Sequence, residues 1–216
     1  MKYFLFDFDG TLVDSMPTFG QTVKDILDES GVKYGEDIVK IVTPLGYGGC
    51  ADYCISIGLE GTTETVKNTM IARMLEKYKT EIPAKESVPE VLKKLKENGC
   101  SLNLLTASPH AVFEPCLTRL GIIGLFDNLW SSDDFGTIKK DPEIYRMAAK
   151  RLGTTVDEIA FFDDNIGACA TAKEAGAYVV GVYDESGIAF EEEMKSTLDR
   201  YIYTFSELFC GNEKTV

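Results

Sequence analysis

Short apolar runs alternate with helical periodicities along most of this chain, and that alternation restricts the fold more than any other feature. Tyr3 to Phe8 (YFLFDF), Ser101 to Thr106 (SLNLLT), Glu158 to Phe162 (EIAFF) and Tyr178 to Val182 (YVVGV) are short, rich in aromatic and aliphatic side chains, and closed by turn-forming residues. Asn128 to Ser131 and Tyr201 to Tyr203 are weaker runs of the same kind. Between them apolar residues recur at helical spacing. Val88, Val91, Leu92 and Leu95 share one face ahead of Gly99, and Phe113 to Leu120, Pro142 to Leu152 and Ala168 to Ala175 stop at Gly121, Gly153 and Gly176. Such strands are buried on both faces, and helices between them act as right-handed crossovers. The pattern therefore predicts an α/β fold: a doubly wound parallel sheet.

The alternation is interrupted once. From Asp14 to Lys85 the sequence offers helical patterns (Thr18 to Ser30, Glu36 to Val42, Thr63 to Lys79) and no convincing strand. This predicts a helical subdomain over 14–85, inserted into a core made of 1–13 and 86–216.

Composition removes several functions. At 44% hydrophobic residues the chain can bury a substantial core. Its formal charge of −13 repels nucleic acid and anionic lipid, so neither is expected as a partner. The same charge repels a phosphate, so a site for one has to supply its own positive charge. Six cysteines, at 50, 54, 100, 116, 169 and 210, include no CxxC pair. They read as reduced thiols, which points to the cytoplasm. The acidic start MKYFLFDFDG is unlike a signal peptide, and no apolar run is long enough to cross a bilayer.

Polar residues gather where the apolar runs end. Asp7 and Asp9 close the first run, Thr106 and Ser108 the second, Asp163 and Asp164 a later one, and Lys139 precedes the helix from Pro142. In open parallel sheets the binding crevice lies at those carboxyl ends. Aspartate is a common turn residue, but Asp7 lies between Phe6 and Phe8, where an unpaired charge costs several kcal/mol. A divalent cation among the acids resolves that cost, and an all-oxygen donor set favours Mg2+.

The segment Asp7-Phe8-Asp9-Gly10-Thr11-Leu12-Val13-Asp14-Ser15 resembles the first motif of the haloacid dehalogenase-like superfamily. Leu104-Leu105-Thr106-Ala107-Ser108 resembles the second motif. Lys139-Lys140-Asp141-Pro142 resembles the third, with Lys140 where proline is common. Phe161-Phe162-Asp163-Asp164-Asn165 resembles the fourth, in place of the frequent Gly-Asp-Ser form. The four occur in family order across nearly the whole chain.

The resemblance implies a Rossmann-like core with a helical cap over it, and an aspartyl-phosphate mechanism. Asp7 would be the nucleophile and Asp9 the general acid and base. Thr106 would bind the transferring group and Lys139 would stabilise its charge. Mg2+ would be held by Asp7, Asp9 through its carbonyl, Asp164 and Asp163, with the division between the last two left open. Gly10, Ala107 and Ser108 in the core, and Gly46 and Tyr47 in the cap, would contact substrate. An acid at Asp9 favours phosphate esters, because a halide leaves without a proton.

The Thr43–Gly49 stretch (TPLGYGG) is expected to be a loop between cap helices. It contains no lysine or arginine, which favours a hydrolase over a mutase of sugar bisphosphates. The expected substrate is a small phosphorylated metabolite such as a sugar phosphate, phosphoglycolate or a nucleoside monophosphate, handled by a monomer or small homo-oligomer. A phosphomutase of the β-phosphoglucomutase type, and a phospho-acceptor signalling domain, are the alternatives. His110, Trp130, Cys169 and the Glu191-Glu192-Glu193 run read as a helix-start, a core, a packing and a solvated helix residue set, respectively.

Overall fold

A computed structural model describes residues 1–209; Cys210 lies outside that range. Six strands form one all-parallel sheet in the order β3-β2-β1-β4-β5-β6. They are β1 (Tyr3–Phe6), β2 (Ser101–Thr106), β3 (Asn128–Ser131), β4 (Ile159–Asp163), β5 (Tyr178–Val182) and β6 (Arg200–Ile202). From β1 the chain builds outward through β2 to β3, then returns to place β4 on the other side of β1. The direction of winding therefore reverses between β1 and β4, the position where doubly wound sheets open a crevice.

The two faces separate by residue parity, as a pleated strand requires. Phe4 and Phe6 of β1, Leu102 and Leu104 of β2 and Phe162 of β4 face one layer, with α5 (Val88–Glu97) and α6 (His110–Arg119). Leu5, Leu105, Phe161 and Val179 face the other, with α7 (Glu143–Leu152), α8 (Ile166–Ala175) and Met194 of α9 (Glu191–Thr197). Phe4, Phe6, Phe162 and Phe205 stack at centroid separations of 4.8–6.1 Å, which supplies both area and geometry to the first layer.

Four helices precede α5 on the way from β1 to β2: α1 (Met16–Glu29), α2 (Ile38–Val42), α3 (Gly46–Ser56) and α4 (Thr63–Thr80). On α4, Val66, Met70, Met74 and Tyr78 recur at four-residue spacing and are all buried. The helices pack on one another and α4 also packs on α6. Arg119 of α6 fastens that contact by donating to the main-chain carbonyls of Tyr78 (3.1 Å) and Ile82. The two connections to the insertion run side by side. Val13 bridges Ala84, the Asp14 amide donates to the Pro83 carbonyl (3.0 Å), and the Lys85 amide donates to that of Leu12 (3.0 Å).

Two expectations are corrected. The first strand was read to Phe8 but ends at Phe6, because the Phe8 carbonyl turns to accept the amides of Leu12 (2.9 Å) and Val13 (3.1 Å). The glycine-rich Thr43–Gly49 stretch is no open loop. Thr43–Leu45 is a 3-10 turn and α3 begins at Gly46, whose φ of 65° makes the break between them.

Candidate active site

The β1–β4 pairing sets the site. Phe6 is in register with Phe162, so Asp7 and Asp163 leave the sheet side by side. The Asp7 amide still donates to the Phe162 carbonyl (2.8 Å), which holds the residue at the sheet edge. Lys139, from the loop after β3, reaches across both. Its Nζ donates to Asp7 Oδ1 (2.5 Å) and to Asp163 Oδ2 (2.7 Å). The lysine is steadied from behind by Tyr145, whose hydroxyl donates to the carbonyls of Lys139 (3.1 Å) and Ala168 (3.0 Å).

Asp163 and Asp164 are adjacent in sequence but differently engaged. Both oxygens of Asp163 are taken, one by Lys139 and one by the Asn165 amide (2.8 Å). Asn165 then caps α8 by accepting from the amides of Gly167 and Ala168, which fixes the turn. Asp164 exchanges bonds with Thr11: the Thr11 hydroxyl donates to Oδ1 (2.8 Å) and the Asp164 amide donates to the hydroxyl oxygen (3.1 Å). Among the described residues no donor bonds to Asp164 Oδ2.

The carboxylate also presses against the first loop. A Cβ on Gly10, which has φ +72°, would lie 2.4 Å from Asp164 Oδ2. Only glycine accepts both that backbone angle and that approach.

Carboxylate oxygens of Asp7, Asp163 and Asp164 lie within 4.8 Å of one another, with a single lysine to balance three acids. Burial pushes the Asp7 carboxyl up; Lys139 opposes this, Asp163 and Asp9 add to it, and the result is about 7. Burial, then Asp163, Asp7 and Asp184, hold Asp164 well above the carboxylate range. Burial would depress the Lys139 ammonium, but Asp163 and Asp7 overcome it and hold the group well above its ordinary value. The cluster is thus short of positive charge and rich in hard oxygen donors, which is the donor chemistry a magnesium ion fits.

Asp9 stands beside this group without joining it. Its carboxylate accepts from three hydroxyls: Ser15 (2.8 Å), Ser108 (2.6 Å) and Tyr78 of α4. Thr106 is buried at the end of β2, where its hydroxyl oxygen accepts from the Ser108 amide (3.0 Å) and shapes the turn that presents Ser108. Tyr47 of α3 comes close to Tyr78 and Asp9. Gly46 and Ala107 are exposed, and among the described residues no hydrogen bond ties either to the acids.

Sequence reasoning missed four contributors. Tyr78 was legible only as the last member of an apolar helical stripe. Ser15 ends the first motif but carried no role. Lys85 and Asp184 form a buried ion pair (2.8 Å) beside the Tyr183 carbonyl, joining the insertion's return connection to the loop after β5. His110 is absorbed elsewhere, its ring held by Glu114 (2.7 Å) and Asp134 (2.8 Å). The Cys169 thiol packs under the site and donates to the Asp163 carbonyl. Cys50, Cys54, Cys100, Cys116 and Cys169 are free thiols.

A parallel sheet with acids and a lysine converging at its switch point defines an α/β enzyme whose chemistry runs on carboxylates. A family model for haloacid dehalogenase-like hydrolases matches residues 1–176. The chain belongs to that hydrolase family, which sets aside a signalling domain of the receiver kind. It is 28% identical over 84% of its length to the validoxylamine A 7'-phosphate phosphatase of Streptomyces hygroscopicus subsp. limoneus, covering 85% of that protein. It is 29% identical over 82% of its length to a phosphoglycolate phosphatase of Salmonella typhi, covering 79% of that protein. Its fold matches the crystal structure of a predicted phosphoglycolate phosphatase from Haemophilus somnus with a TM-score of 0.81. That match has 23% identity and covers 97% of this chain and 96% of the other. The relatives place the chain in the phosphoglycolate phosphatase-like group of the family. No helix among the described residues is long and apolar enough to cross a membrane.

Proposed function

We propose that this protein is a magnesium-dependent phosphatase that hydrolyses a small organic phosphomonoester through a phosphorylated Asp7. The observation that carries the reading is the close grouping of Asp7, Asp163 and Asp164, with Lys139 bonded to the first two. The phosphatase names of the relatives support it.

In this reading a carboxylate oxygen of Asp7 attacks phosphorus as the ester bond breaks, and the leaving oxygen takes a proton from Asp9. Water then attacks the aspartyl-phosphate, gives its proton to Asp9, and frees Asp7 and inorganic phosphate. Lys139 stabilises charge on the equatorial oxygens, and the turn of Thr106, Ala107 and Ser108 with the amides near Gly10 supplies neutral donors. Asp7, Asp164 and the Asp9 carbonyl would hold Mg2+, which screens the acids and the incoming phosphate from one another. Asp163 serves chiefly to position Lys139, since its oxygens are already engaged.

Residues 14–85 form the cap and 1–13 with 86–216 the catalytic core. The 3-10 turn at Thr43–Leu45 rests on the turn at Glu185–Phe190, beside the acids, as a closing cap would. The absence of lysine and arginine from Thr43 to Gly49 supports hydrolysis over mutase chemistry, which needs a second phosphate held. The free thiols fit a reducing cytoplasm, and nothing in the reading needs more than a monomer or small homo-oligomer.

The test is release of inorganic phosphate from p-nitrophenyl phosphate. Activity is expected with Mg2+ and lost with EDTA, and Asp7→Asn is expected to be inactive. An Asp7→Asn protein that turns over normally would end the reading.

A further inference from the structure

Asp164 keeps one carboxylate oxygen open although a lysine stands near it. Thr11 holds Oδ1 (2.8 Å), and among the described residues no donor bonds to Oδ2. After burial, the charges that act on this carboxyl are Asp163, Asp7 and Asp184, which raise it, and Lys85, which lowers it. Lys85 nevertheless sends its ammonium elsewhere. Its Nζ bonds to Asp184 Oδ2 (2.8 Å) and to the Tyr183 carbonyl (2.5 Å), and both side chains of the ion pair are largely buried.

Both members of the pair are built against the site. The Lys85 amide donates to the Leu12 carbonyl (3.0 Å), in the loop that carries Thr11. Asp184 is fixed through its other oxygen, which accepts from the Ser186 amide (3.0 Å) and hydroxyl (2.6 Å). The same turn brings Gly187 against Asp164: a Cβ on Gly187 would lie 3.4 Å from the Asp164 carbonyl oxygen. The aspartate is thus anchored independently of the lysine. The lysine is a compact charge on a flexible four-carbon stem. Once released, a buried ammonium needs a new partner. Asp7 and Asp163 already have Lys139, so the unfilled oxygen of Asp164 is the partner on offer.

Resting on the reading of Asp164 as a magnesium ligand, we infer that Asp184 is a positioning residue for the metal site, holding Lys85 away from the open oxygen of Asp164. The pair does more than tie the insertion's return connection to the loop after β5. It keeps a resident cation from competing with Mg2+.

The experiment is calorimetric titration of Mg2+ into the full chain and three variants, without substrate, with thermal melts to check folding. Asp184→Asn keeps the shape and an oxygen for Ser186, and removes the charge that holds Lys85. Its Kd for Mg2+ should rise at least about tenfold. Adding Lys85→Gln to that variant removes the competitor and should return Kd close to the wild-type value. Lys85→Gln alone should bind Mg2+ at least as tightly as the wild type. A pair that merely joins two segments gives the opposite pattern: the double variant binds no better than Asp184→Asn, and Lys85→Gln alone binds more weakly than the wild type. Either of those results, or an unchanged Kd in Asp184→Asn, would overturn the inference alone. Should Asp184→Asn fail to fold, Lys85→Gln decides by the same criterion. A wild-type protein that takes up no Mg2+ would remove the magnesium reading and the inference together.

Discussion

The hydroxyl of Tyr78 donates to the carboxylate of Asp9, and so ties the last inserted helix to the loop that carries Asp7. Tyr78 lies 69 positions from Asp9 in sequence and is only 1% exposed. Of the three hydroxyls on Asp9, it is the one contributed by a helix of the insertion.

Removing that hydroxyl tests the link. Tyr78→Phe leaves Asp9 with Ser15 and Ser108 alone and releases its angular setting. A hydrogen bond to a charged group contributes about 1.5–3 kcal/mol, so kcat should fall roughly ten- to a hundredfold. KM should change little, because the phosphoryl contacts are untouched. Steady-state kinetics that show an unaltered kcat would sever Tyr78 from the chemistry.

Asp163 and Asp164 should separate under substitution. Asp164→Asn removes an acid with an unclaimed oxygen, so the Mg2+ concentration for half-maximal activity should rise at least about tenfold. Asp163→Asn weakens the seat of Lys139, so kcat should fall with a smaller change in Mg2+ requirement. A magnesium titration of both variants distinguishes them; the reverse pattern would exchange the two roles.

The Asp7 carboxyl gives a pH dependence with a definite sign. It stands at about 7 in the fold against 3.8 as its ordinary value, so in between the folded chain holds a proton that the unfolded chain has released. Without metal, the Asp7 contribution to stability therefore declines as pH rises from about 4 to about 7. A cation favours the ionised form, so the rise in Tm caused by Mg2+ should grow across the same window. Thermal melts with and without Mg2+ between pH 5 and 8 measure it, and an increment that does not grow would contradict the cluster's charge deficit.

Gly10→Ala should be costly for two reasons. Its backbone lies at φ +72°, and the new methyl would meet Asp164 Oδ2 at 2.4 Å. Strain of this kind costs about 1–3 kcal/mol, and the displaced carboxylate should weaken Mg2+ binding. Gly31→Ala, at φ +69° with open space around it, supplies the backbone strain without the clash. If both variants bind Mg2+ equally, the close approach at Gly10 has no bearing on the metal.

What the sequence disclosed follows the range of each signal. The strand from Ser101 to Thr106 and that from Tyr178 to Val182 were readable residue for residue, because both are continuous apolar runs stopped by turn chemistry. The acids at 7, 163 and 164 were readable as neighbours because parallel strands bring their carboxyl ends to one edge. Tyr78 was not, since a phenol closing an apolar stripe looks like core packing until the partner of its oxygen is known. Gly46 to Gly49 misled for the opposite reason: glycines suggest a loop, yet packing carries them into α3. The buried pair of Lys85 and Asp184 left no local trace, as its members are 99 residues apart and meet only through the fold.

The antiparallel bridge between Val13 and Ala84 has a consequence for how such a chain can diversify. Because departure and return are clasped together, the sheet perceives the intervening helices as little more than a closed hairpin tip. Lengthening or exchanging what hangs beyond the clasp adds only slowly to the closure entropy. A lineage could therefore trade one lid for another, and with it one metabolite for another, while Asp7 and its companions keep their places.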